Sequence, residues 1–440
     1  MQQQELEQRL AFILSQAKQK GASSAEASLR LSHGQSINVR NGNVDTIEHQ
    51  QSKGFAITVY KGQRTGSASS TDLSDSAIVE TVSAACDIAS YTQADECAGL
   101  ADARLMATNI PDLDLYHAWE LSTEQAIALA LTTEQAALAV DSRIKQVDNS
   151  SVDKGQITRI YGNSHGFMGS WTSSSYSISC RVIAQEAEGQ MQRDSWYTAG
   201  RDPQLLASAD SVGRTAAERA LKRLNPRQVK TQQAPVLFSA TAAVSLLGHF
   251  IGAIGGTSLY RKSSFLLDAV GKQIFPTIMH IRENPHLLKG LSSAPFDGEG
   301  VATQARDLVT AGVLQGYVLD SYTARKLGLQ TTGNAGGIYN LQVDSTAGDL
   351  DSLLQQLGTG LYITDLMGMG VNLLTGHYSR GAGGFWVENG KIQFPVQEIT
   401  IAGNLVEMFQ SIQAIGNDVE KRGSVATGSW LLPTMMIAGH

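Results

Sequence analysis

Short segments of alternating polar and apolar residues, separated by glycine turns, constrain the fold of this chain more than any other feature. The 440 residues include 43 glycines and only 9 prolines, which favours tight turns between strands over disordered linkers. Asn41-Gly42 is typical of a type I′ hairpin turn, and it lies between the alternating segments SINVR and NVDTIEH. Asn389-Gly390 predicts a second hairpin within GFWVENGKIQFPV at 384–396. Antiparallel sheets are therefore expected at both ends of the chain.

Helical patterns interrupt these strands at intervals. The first has apolar residues at the spacing of one helix face, namely Leu6, Leu10, Ile13 and Ala17. Residues 73–89 are also predicted to be helical. Ser122 and Gln125 have the spacing of a capping box before an Ala- and Leu-rich run. Further helices are predicted over 203–224, which begins with a proline, and over the apolar segment 240–253.

Together these elements predict an α+β protein with three sections. An N-terminal domain of helix and antiparallel sheet is expected at 1–110, and a central region of helix and antiparallel strands at 111–232. A β-rich domain with a curved sheet or barrel is expected at 233–440, because short strands with glycine turns, such as 277–283 and 362–371, dominate there. A doubly wound α/β fold is disfavoured, since strands and helices do not alternate throughout.

Composition excludes several classes of protein. The formal charge of −7 opposes direct nucleic-acid binding, and no apolar run is long enough to span a membrane. The N-terminus lacks the basic start and apolar core of a signal peptide. Cys86, Cys97 and Cys180 are odd in number and include no CxxC pair, so they are interpreted as free thiols, with Cys86 and Cys180 buried. These features predict a cytoplasmic protein.

The chain lacks the motif of a zinc peptidase. Such enzymes commonly present two histidines and a glutamate from one helix, and the glutamate polarises the attacking water. None of the 9 histidines here precedes a glutamate. His280 and His286 lie six residues apart with a proline between them, so we interpret them as a strand residue and a loop residue rather than as a metal site.

Four further motifs are weaker. GNSHG at 162–166 matches the GxSxG pattern of a nucleophile elbow, but no helix former follows it, so a hairpin turn is expected. The glycine-rich segments 332–337 and 380–384 are expected to be turns or loops, with a peptide-contacting loop as the alternative. Asp297 and Glu299, in the sequence DGEG, are expected in a solvated turn, with weak cation binding as the alternative.

Several longer motifs resemble the TldD/PmbA family. They are LGHF at 247–250 leading to YRKSSF at 260–265, PFDGEG at 295–300 and the closing segment GGFWVENGKIQFPVQEITIAGNL at 383–405. The N-terminal segments GNVDTIEH and GFAITVYKGQRTGSASS resemble the family's first domain. The resemblance covers nearly the whole chain in order, and it identifies a PmbA-type (TldE-type) subunit.

The resemblance implies a bacterial or archaeal protease system of two similar subunits. The TldD-type subunit holds zinc through HExxxH on a helix and a cysteine near the C-terminus. The corresponding positions here are Gly248, His249 and Ala253, and no cysteine follows Cys180. The resemblance therefore implies no catalytic residue, metal ligand or cofactor in this chain, and zinc in the partner. His249 is expected to be a packed histidine, and Arg261 and Lys262 are expected to lie at the end of its helix.

Three functions follow from this resemblance and from the residues. The first is a metal-free subunit that joins a TldD-type protein in a heterodimer and holds peptides or unfolded segments, by adding them as a strand to an exposed sheet edge. Cleavage is then expected only in the complex. The second, an independent protease, lacks a credible nucleophile–base pair. The third is a peptide-binding regulator or chaperone, a class linked historically to DNA gyrase modulation. A homodimer is expected as an alternative when the chain is isolated.

Overall fold

Three sheets and nine α-helices organise the computed structural model, which describes residues 3–439. The helices are α1 (Gln3–Gln19), α2 (Asp75–Tyr91), α3 (Thr123–Leu138), α4 (Ala209–Lys222), α5 (Ala240–Ala253), α6 (Gly256–Tyr260), α7 (Ser321–Lys326), α8 (Leu350–Leu357) and α9 (Leu405–Gln410). The strands are β1 (Ser24–Arg40), β2 (Asn43–Lys61), β3 (Arg64–Ser70), β4 (Ile144–Asn163), β5 (Met168–Gln185), β6 (Met191–Gly200), β7 (Gln232–Phe238), β8 (Ile281–Asn284), β9 (Arg306–Thr310), β10 (Val313–Leu314), β11 (Asn340–Val343), β12 (Gly360–Met367), β13 (His377–Glu388), β14 (Lys391–Asn404), β15 (Ala414–Ile415), β16 (Val425–Ala426) and β17 (Trp430–Ala438).

The N-terminal half is one antiparallel sheet in the order β3-β2-β1-β4-β5-β6. Directly opposed residues of antiparallel strands point to the same face. Leu29 lies opposite Ile160, and Ile37 lies opposite Val152. All four are buried in the cores that this face forms with α1, α2, α3 and α4. The opposite face of the sheet carries polar residues and faces the C-terminal half.

Local signals in the sequence account for much of this half. The predicted apolar stripe of α1 is buried along its length. Asn41 and Gly42 both have positive φ, at 53° and 71°, as a type I′ turn requires. Ser122 accepts a hydrogen bond from the backbone N–H of Gln125, whose side chain accepts one from the Ser122 N–H. The predicted hairpin and capping box are thus confirmed.

The first half of β2 is an open sheet edge. β3 pairs only with residues 55–61 of β2. Every residue of 43–53 is exposed, including Val44 and Ile47, and no other described strand pairs with that side of it. A long unpaired edge of this kind presents free backbone N–H and C=O groups to any strand that can align with it.

The C-terminal half contains a closed barrel. β7, β12, β13, β14 and β17 form a ring, because β14 pairs with both β13 and β17, and β7 joins β12 to β17. Phe250 of α5 packs against Phe275, which packs in turn against Phe409, with ring centroids 5.3 and 4.9 Å apart. The predicted α+β class and C-terminal barrel are confirmed. The proposed division into three sections remains a prediction.

A smaller sheet in the order β10-β9-β8-β11-β16 lies beside the barrel. Glu283 of β8 is 1% exposed and is held by three hydrogen bonds. Its carboxylate accepts from Arg306 Nε at 2.8 Å, from Asn334 Nδ2 at 2.8 Å and from the Tyr339 N–H at 2.9 Å. This one buried carboxylate therefore fixes β9 and the segment 334–339 to β8.

Two predicted boundaries are wrong. The helix expected at 203–224 is a 3₁₀ turn at Pro203–Leu205 followed by α4, since the Ser208 hydroxyl caps α4 by accepting from the Ser211 N–H at 3.2 Å. The strand expected at 277–283 begins only at Ile281, because a turn precedes it.

The glycine segment 380–384 was also expected to be a turn or loop, and this is wrong. It lies within β13, where a Cβ on Gly384 would collide with the carbonyl oxygen of Tyr362 on β12. Glycine there permits close strand contact. Across residues 3–439, no helix combines the length and the apolar character that a membrane crossing requires.

Candidate functional site

The helix α5 carries the three positions at which the family resemblance places zinc chemistry. It is largely apolar, and the Ser239 hydroxyl caps it by accepting from the Ala242 N–H at 3.2 Å. Gly248 is exposed, and a Cβ there would meet no atom within 4 Å. Ala253 is 0% exposed and belongs to the main hydrophobic core. The two positions therefore differ in their surroundings, since residue 248 meets open space and residue 253 is enclosed.

His249 is packed rather than free. Its ring lies edge-on to the Tyr378 ring, with centroids 5.9 Å apart, and its Nε2 is 3.5 Å from the Ser245 hydroxyl. That hydroxyl also accepts from Arg380 Nη1 at 2.8 Å. Burial lowers the pKa of His249, and the positive charge of Arg380 lowers it further. The imidazole is therefore neutral near pH 7.

Arg261 and Lys262 do not cap α5, so that expectation is wrong. α5 ends at Ala253, and the short helix α6 follows it. Arg261 is the C-terminal capping residue of α6, and Lys262 then takes a positive φ of 55°. The motif residues thus lie at the end of a second, short helix.

Within residues 3–439, no group of three or more His, Cys, Asp or Glu side chains is placed to hold a metal ion. His280 precedes β8, and His286 lies in a loop where its Nε2 is 2.9 Å from the Thr303 hydroxyl. Cys86, Cys97 and Cys180 are buried free thiols. Burial raises the pKa of Cys180 to about 12, so it is not a thiolate at neutral pH.

The GxSxG segment is a hairpin turn, as expected. The Asn163 N–H donates to the Phe167 carbonyl at 3.0 Å, which closes the turn between β4 and β5. Ser164 accepts a hydrogen bond from the Ala25 N–H at 3.0 Å. A strand rather than a helix follows, so Ser164 has no nucleophile-elbow geometry.

A cleft of about 880 Å³ lies between the helix-free face of the N-terminal sheet and the C-terminal half. One wall is formed by β1, β2, β4 and β5, and the other by segments 291–298 and 335–339. Serines are frequent in its lining, namely Ser32, Ser36, Ser173, Ser175, Ser177, Ser292 and Ser293. Its volume is within the range of ligand sites. The glycine-rich segment 332–337 therefore contributes to a cleft wall.

Three arginines line one end of this cleft. Arg30 of β1 lies directly opposite Arg159 of β4, and the Arg159 guanidinium is 5.8 Å from the centre of the Trp171 ring. Burial lowers the pKa of Arg159, and the charge of Arg30 adds to this effect. The pKa of Arg201 falls to about 10, first because of burial and then because of Arg159. The sequence gives no signal for this cluster, since it depends on strand register.

Phe296, in the motif PFDGEG, joins the two halves of the molecule beside the cleft. Its fully buried ring packs edge-on against Phe167 at 5.1 Å and against Trp171 at 4.8 Å between centroids. A Cβ on Gly169 would lie 2.5 Å from the Phe296 ring. The glycine therefore leaves the space that this ring occupies on the sheet.

Asp297 does not lie in a solvated turn, so that prediction is wrong. It is 2% exposed, and its carboxylate accepts from the N–H groups of Glu299 at 2.9 Å, Val301 at 2.9 Å and Ala335 at 3.0 Å. Burial outweighs these donors and raises the pKa of Asp297 to about 6. The third donor is remote in sequence, which is why the local pattern did not reveal the buried position.

Glu299 is also partly buried. Its Oε2 accepts from the Ser321 N–H at 3.0 Å. Burial, together with the charges of Asp297 and Glu26, raises the pKa of Glu299 to about 7. Asp297 thus joins two segments of the cleft wall through Ala335, and Glu299 joins the same loop to the start of α7.

Comparisons with known proteins agree with this architecture over almost the whole chain. Family models match it as PmbA/TldA metallopeptidase domain 1 over residues 25–89, as the central domain over 116–224 and as the C-terminal domain over 231–439. The chain belongs to the PmbA/TldA metallopeptidase family. This is the TldD/PmbA family that its motifs resemble.

Relatives in this family are similar along their full length. "Metalloprotease PmbA" of Escherichia coli O157:H7 is 50% identical over 416 residues, which cover 94% of this chain and 92% of that protein. "Metalloprotease PmbA homolog" of Haemophilus influenzae is 48% identical over 440 residues, covering 100% and 97%.

Two solved structures share the fold of this family member. One, from Bacteroides thetaiotaomicron, is described as a candidate modulator of DNA gyrase; it has a TM-score of 0.95 and 28% identity, and the match covers 100% of both chains. The other is TldE from Thermococcus kodakarensis, with a TM-score of 0.84 and 18% identity over 98% of this chain and 100% of that one. The second likeness concerns the fold alone.

Proposed function

We propose that this PmbA/TldA family member is the metal-free, peptide-holding subunit of a two-subunit metallopeptidase. Zinc and the hydrolytic chemistry would reside in a TldD-type partner. The observation that carries the proposal is that α5 lacks zinc ligands at the three motif positions. Gly248 offers no donor atom, Ala253 is enclosed in the core, and His249 is packed against Tyr378. A family of metallopeptidases needs a metal site, and this helix does not supply one.

The open edge of β2 supports a peptide-holding role. Its side chains Glu48 and Gln50 line the cleft, so a strand added along residues 43–53 would lie at the rim of the cleft. Strand addition uses backbone hydrogen bonds and tolerates many sequences, while pockets beside the edge select side chains. The cleft would provide such pockets for an extended peptide.

Peptide cleavage by the chain alone, by a TldD-type partner alone and by their mixture tests the proposal. We expect cleavage by the mixture and none by this chain. We also expect the pure chain to carry no stoichiometric zinc, as measured by metal analysis. One tightly bound zinc per chain, or cleavage without the partner, would refute the proposal.

Restoring the motif tests whether only the ligands are missing. The triple variant Gly248→His, His249→Glu and Ala253→His should still bind no stoichiometric zinc, because residue 253 is enclosed in the core and no cysteine follows Cys180 to serve as the third ligand. The single variant Gly248→His is the control, since open space at that position should make it harmless to stability. Stoichiometric zinc in the triple variant would show that the surroundings remain suited to a metal.

Prolines at two adjacent positions test the β2 edge. Neighbouring residues of a strand direct their N–H groups to opposite sides, so of Ile47→Pro and Glu48→Pro, one removes an outward donor and the other removes a donor that faces β1. The less destabilising variant should lose peptide binding, as measured by fluorescence anisotropy. Unchanged binding in both variants would exclude strand addition at this edge.

A peptide-binding regulator or chaperone is the second candidate. It is favoured by the combination of a cleft with no nucleophile–base pair among the described residues, and by the description of the similar Bacteroides structure as a candidate gyrase modulator. Co-purification separates the two functions. If a TldD-type protein forms no complex with this chain and the mixture cleaves no peptide, the regulator is favoured.

A further inference from the structure

The geometry of the cleft assigns it a carboxylate-binding end. We propose that Arg30 and Arg159 together receive the free C-terminal carboxylate of a bound peptide. This inference rests on the proposed peptide-holding function and adds to it a substrate class, namely peptides with a free C-terminus close to the bound segment.

Two like charges are opposed here without compensation. Arg30 and Arg159 are direct cross-strand partners, an arrangement that is unfavourable for side chains of the same charge. Among residues 3–439, neither guanidinium makes an ion pair or a side-chain hydrogen bond. Both side chains are solvent-accessible from the cleft. An anionic ligand would relieve the repulsion that the chain itself leaves in place.

Three carboxylates line the cleft, those of Glu48, Asp153 and Asp297, and none of them forms an ion pair with Arg30, Arg159 or Arg201. Asp153 accepts hydrogen bonds from Ser36 at 2.6 Å, from Ser177 at 3.0 Å and from Ser151 at 3.1 Å. Asp297 accepts from three backbone N–H groups. The acidic residues that line the cleft therefore leave Arg30 and Arg159 without an ion-pair partner.

Arg201 strengthens this positive end without being free to bind. Its guanidinium donates to the carbonyl oxygens of Ser174 at 2.8 Å, Gly290 at 2.9 Å and Leu291 at 2.7 Å. These bonds anchor the C-terminal wall to the sheet. The charge of Arg201 remains, because carbonyl groups do not neutralise it, and it adds to the attraction for an anion.

The shape and surroundings favour a terminal carboxylate. A guanidinium is planar and binds a carboxylate through two parallel hydrogen bonds, and the two opposed groups present two such donors. Trp171, directly opposite Arg159 on β5, offers an apolar surface for the last side chain of the peptide. Ser32 and Ser173, two positions along the same face, supply hydroxyl groups for the adjoining peptide unit.

Paired peptides test the inference on the full chain. One fluorescent peptide has a free C-terminal carboxylate, and the other has the same sequence with a C-terminal amide. We expect the carboxylate form to bind about tenfold more tightly by fluorescence anisotropy, since charge-assisted hydrogen bonds are stronger than neutral ones. Arg30→Gln and Arg159→Gln should each weaken binding of the carboxylate form much more than binding of the amide, and so bring this ratio close to one.

Arg193→Gln is the matched control, because Arg193 is an exposed arginine on β6 of the same sheet and outside the cleft. It should keep the tenfold ratio. Arg159→Lys retains the charge but not the planar pair of donors, so it should give an intermediate ratio, and it serves as the second variant if a glutamine variant fails to fold.

The possible failures are distinguishable. Equal binding of the two peptides would overturn the inference while leaving the peptide-holding function intact. Absence of binding by either peptide would overturn both. Inorganic phosphate is the third probe: if it binds in an Arg30- and Arg159-dependent manner and the carboxylate peptide shows no advantage over the amide, the site takes a phosphate group and the inference is wrong.

Discussion

Replacing Glu283 with glutamine should destabilise the C-terminal half by about 3–5 kcal/mol, the usual cost of leaving a buried ionic partner unpaired. Glu283 is 1% exposed, and the side chain of Arg306 is 21% exposed. The variant keeps the side-chain size but removes the negative charge. It also turns an amide NH₂ toward donors, because all three partners of Glu283 are N–H groups.

An exposed pair on the same two strands provides a matched control. Arg282 and Asp307 are 3.3 Å apart, with side chains 53% and 52% exposed. Asp307→Asn should therefore cost no more than about 1 kcal/mol, as is usual for surface ion pairs. At about 2–4 °C per kcal/mol for a unit of this size, the melting temperature should fall by about 6–20 °C in Glu283→Gln and by only a few degrees in the control.

Hydrogen–deuterium exchange gives this prediction a second readout. Both Asn334 and Tyr339 donate to Glu283, and the segment between them forms part of the cleft wall. Exchange should increase at 333–339 before it increases elsewhere in the barrel. A loss of stability equal to that of Asp307→Asn, or an even increase in exchange across the chain, would refute the assigned role.

Three other changes have defined outcomes. Gly300→Ala should destabilise the chain by about 1–3 kcal/mol more than Gly166→Ala in chemical denaturation, because both glycines have positive φ but only a Cβ at 300 would meet Phe167, at 2.8 Å. The pKa of Glu299 is raised to about 7, so the stability that its neutral form contributes is lost as the pH rises through that value. Glu299→Gln should therefore gain stability relative to the parent between pH 5 and 8. A difference in free energy of unfolding that stays constant with pH would contradict this. Ser122→Ala should cost about 1 kcal/mol in a thermal melt through loss of the α3 cap, whereas no change would show that the capping box is redundant.

Local patterns predicted the elements whose causes are local. The buried stripe of α1, the turn at Asn41-Gly42 and the bounds of α5 all depend on residues within a few positions of one another. Side-chain period and turn chemistry are sufficient in such segments. The barrel was predicted as a class of structure, but its closing pair, β14 with β17, could not be specified from periodicity.

The cleft and its charged end could not be predicted, because they depend on residues that are distant from one another in the sequence. Arg30, Arg159 and Arg201 come together only through strand register and through a loop that follows β6. The burial of Asp297 likewise depends on Ala335, which is distant in sequence. A short acidic glycine motif is usually solvated, and here a remote backbone donor and the packing of Phe296 override that tendency.

The order of strands in the barrel also bears on how the protein is made. The strands of the N-terminal sheet end at Gly200 and the last helix packed on it ends at Lys222, so this half can form while the rest of the chain is still being synthesised. The barrel cannot, because β7 must pair with β17, whose strand ends at Ala438. We therefore expect the C-terminal half to remain open until residues 430–438 have been synthesised, and nascent chains lacking them to present an unfinished barrel to the folding machinery of the cell.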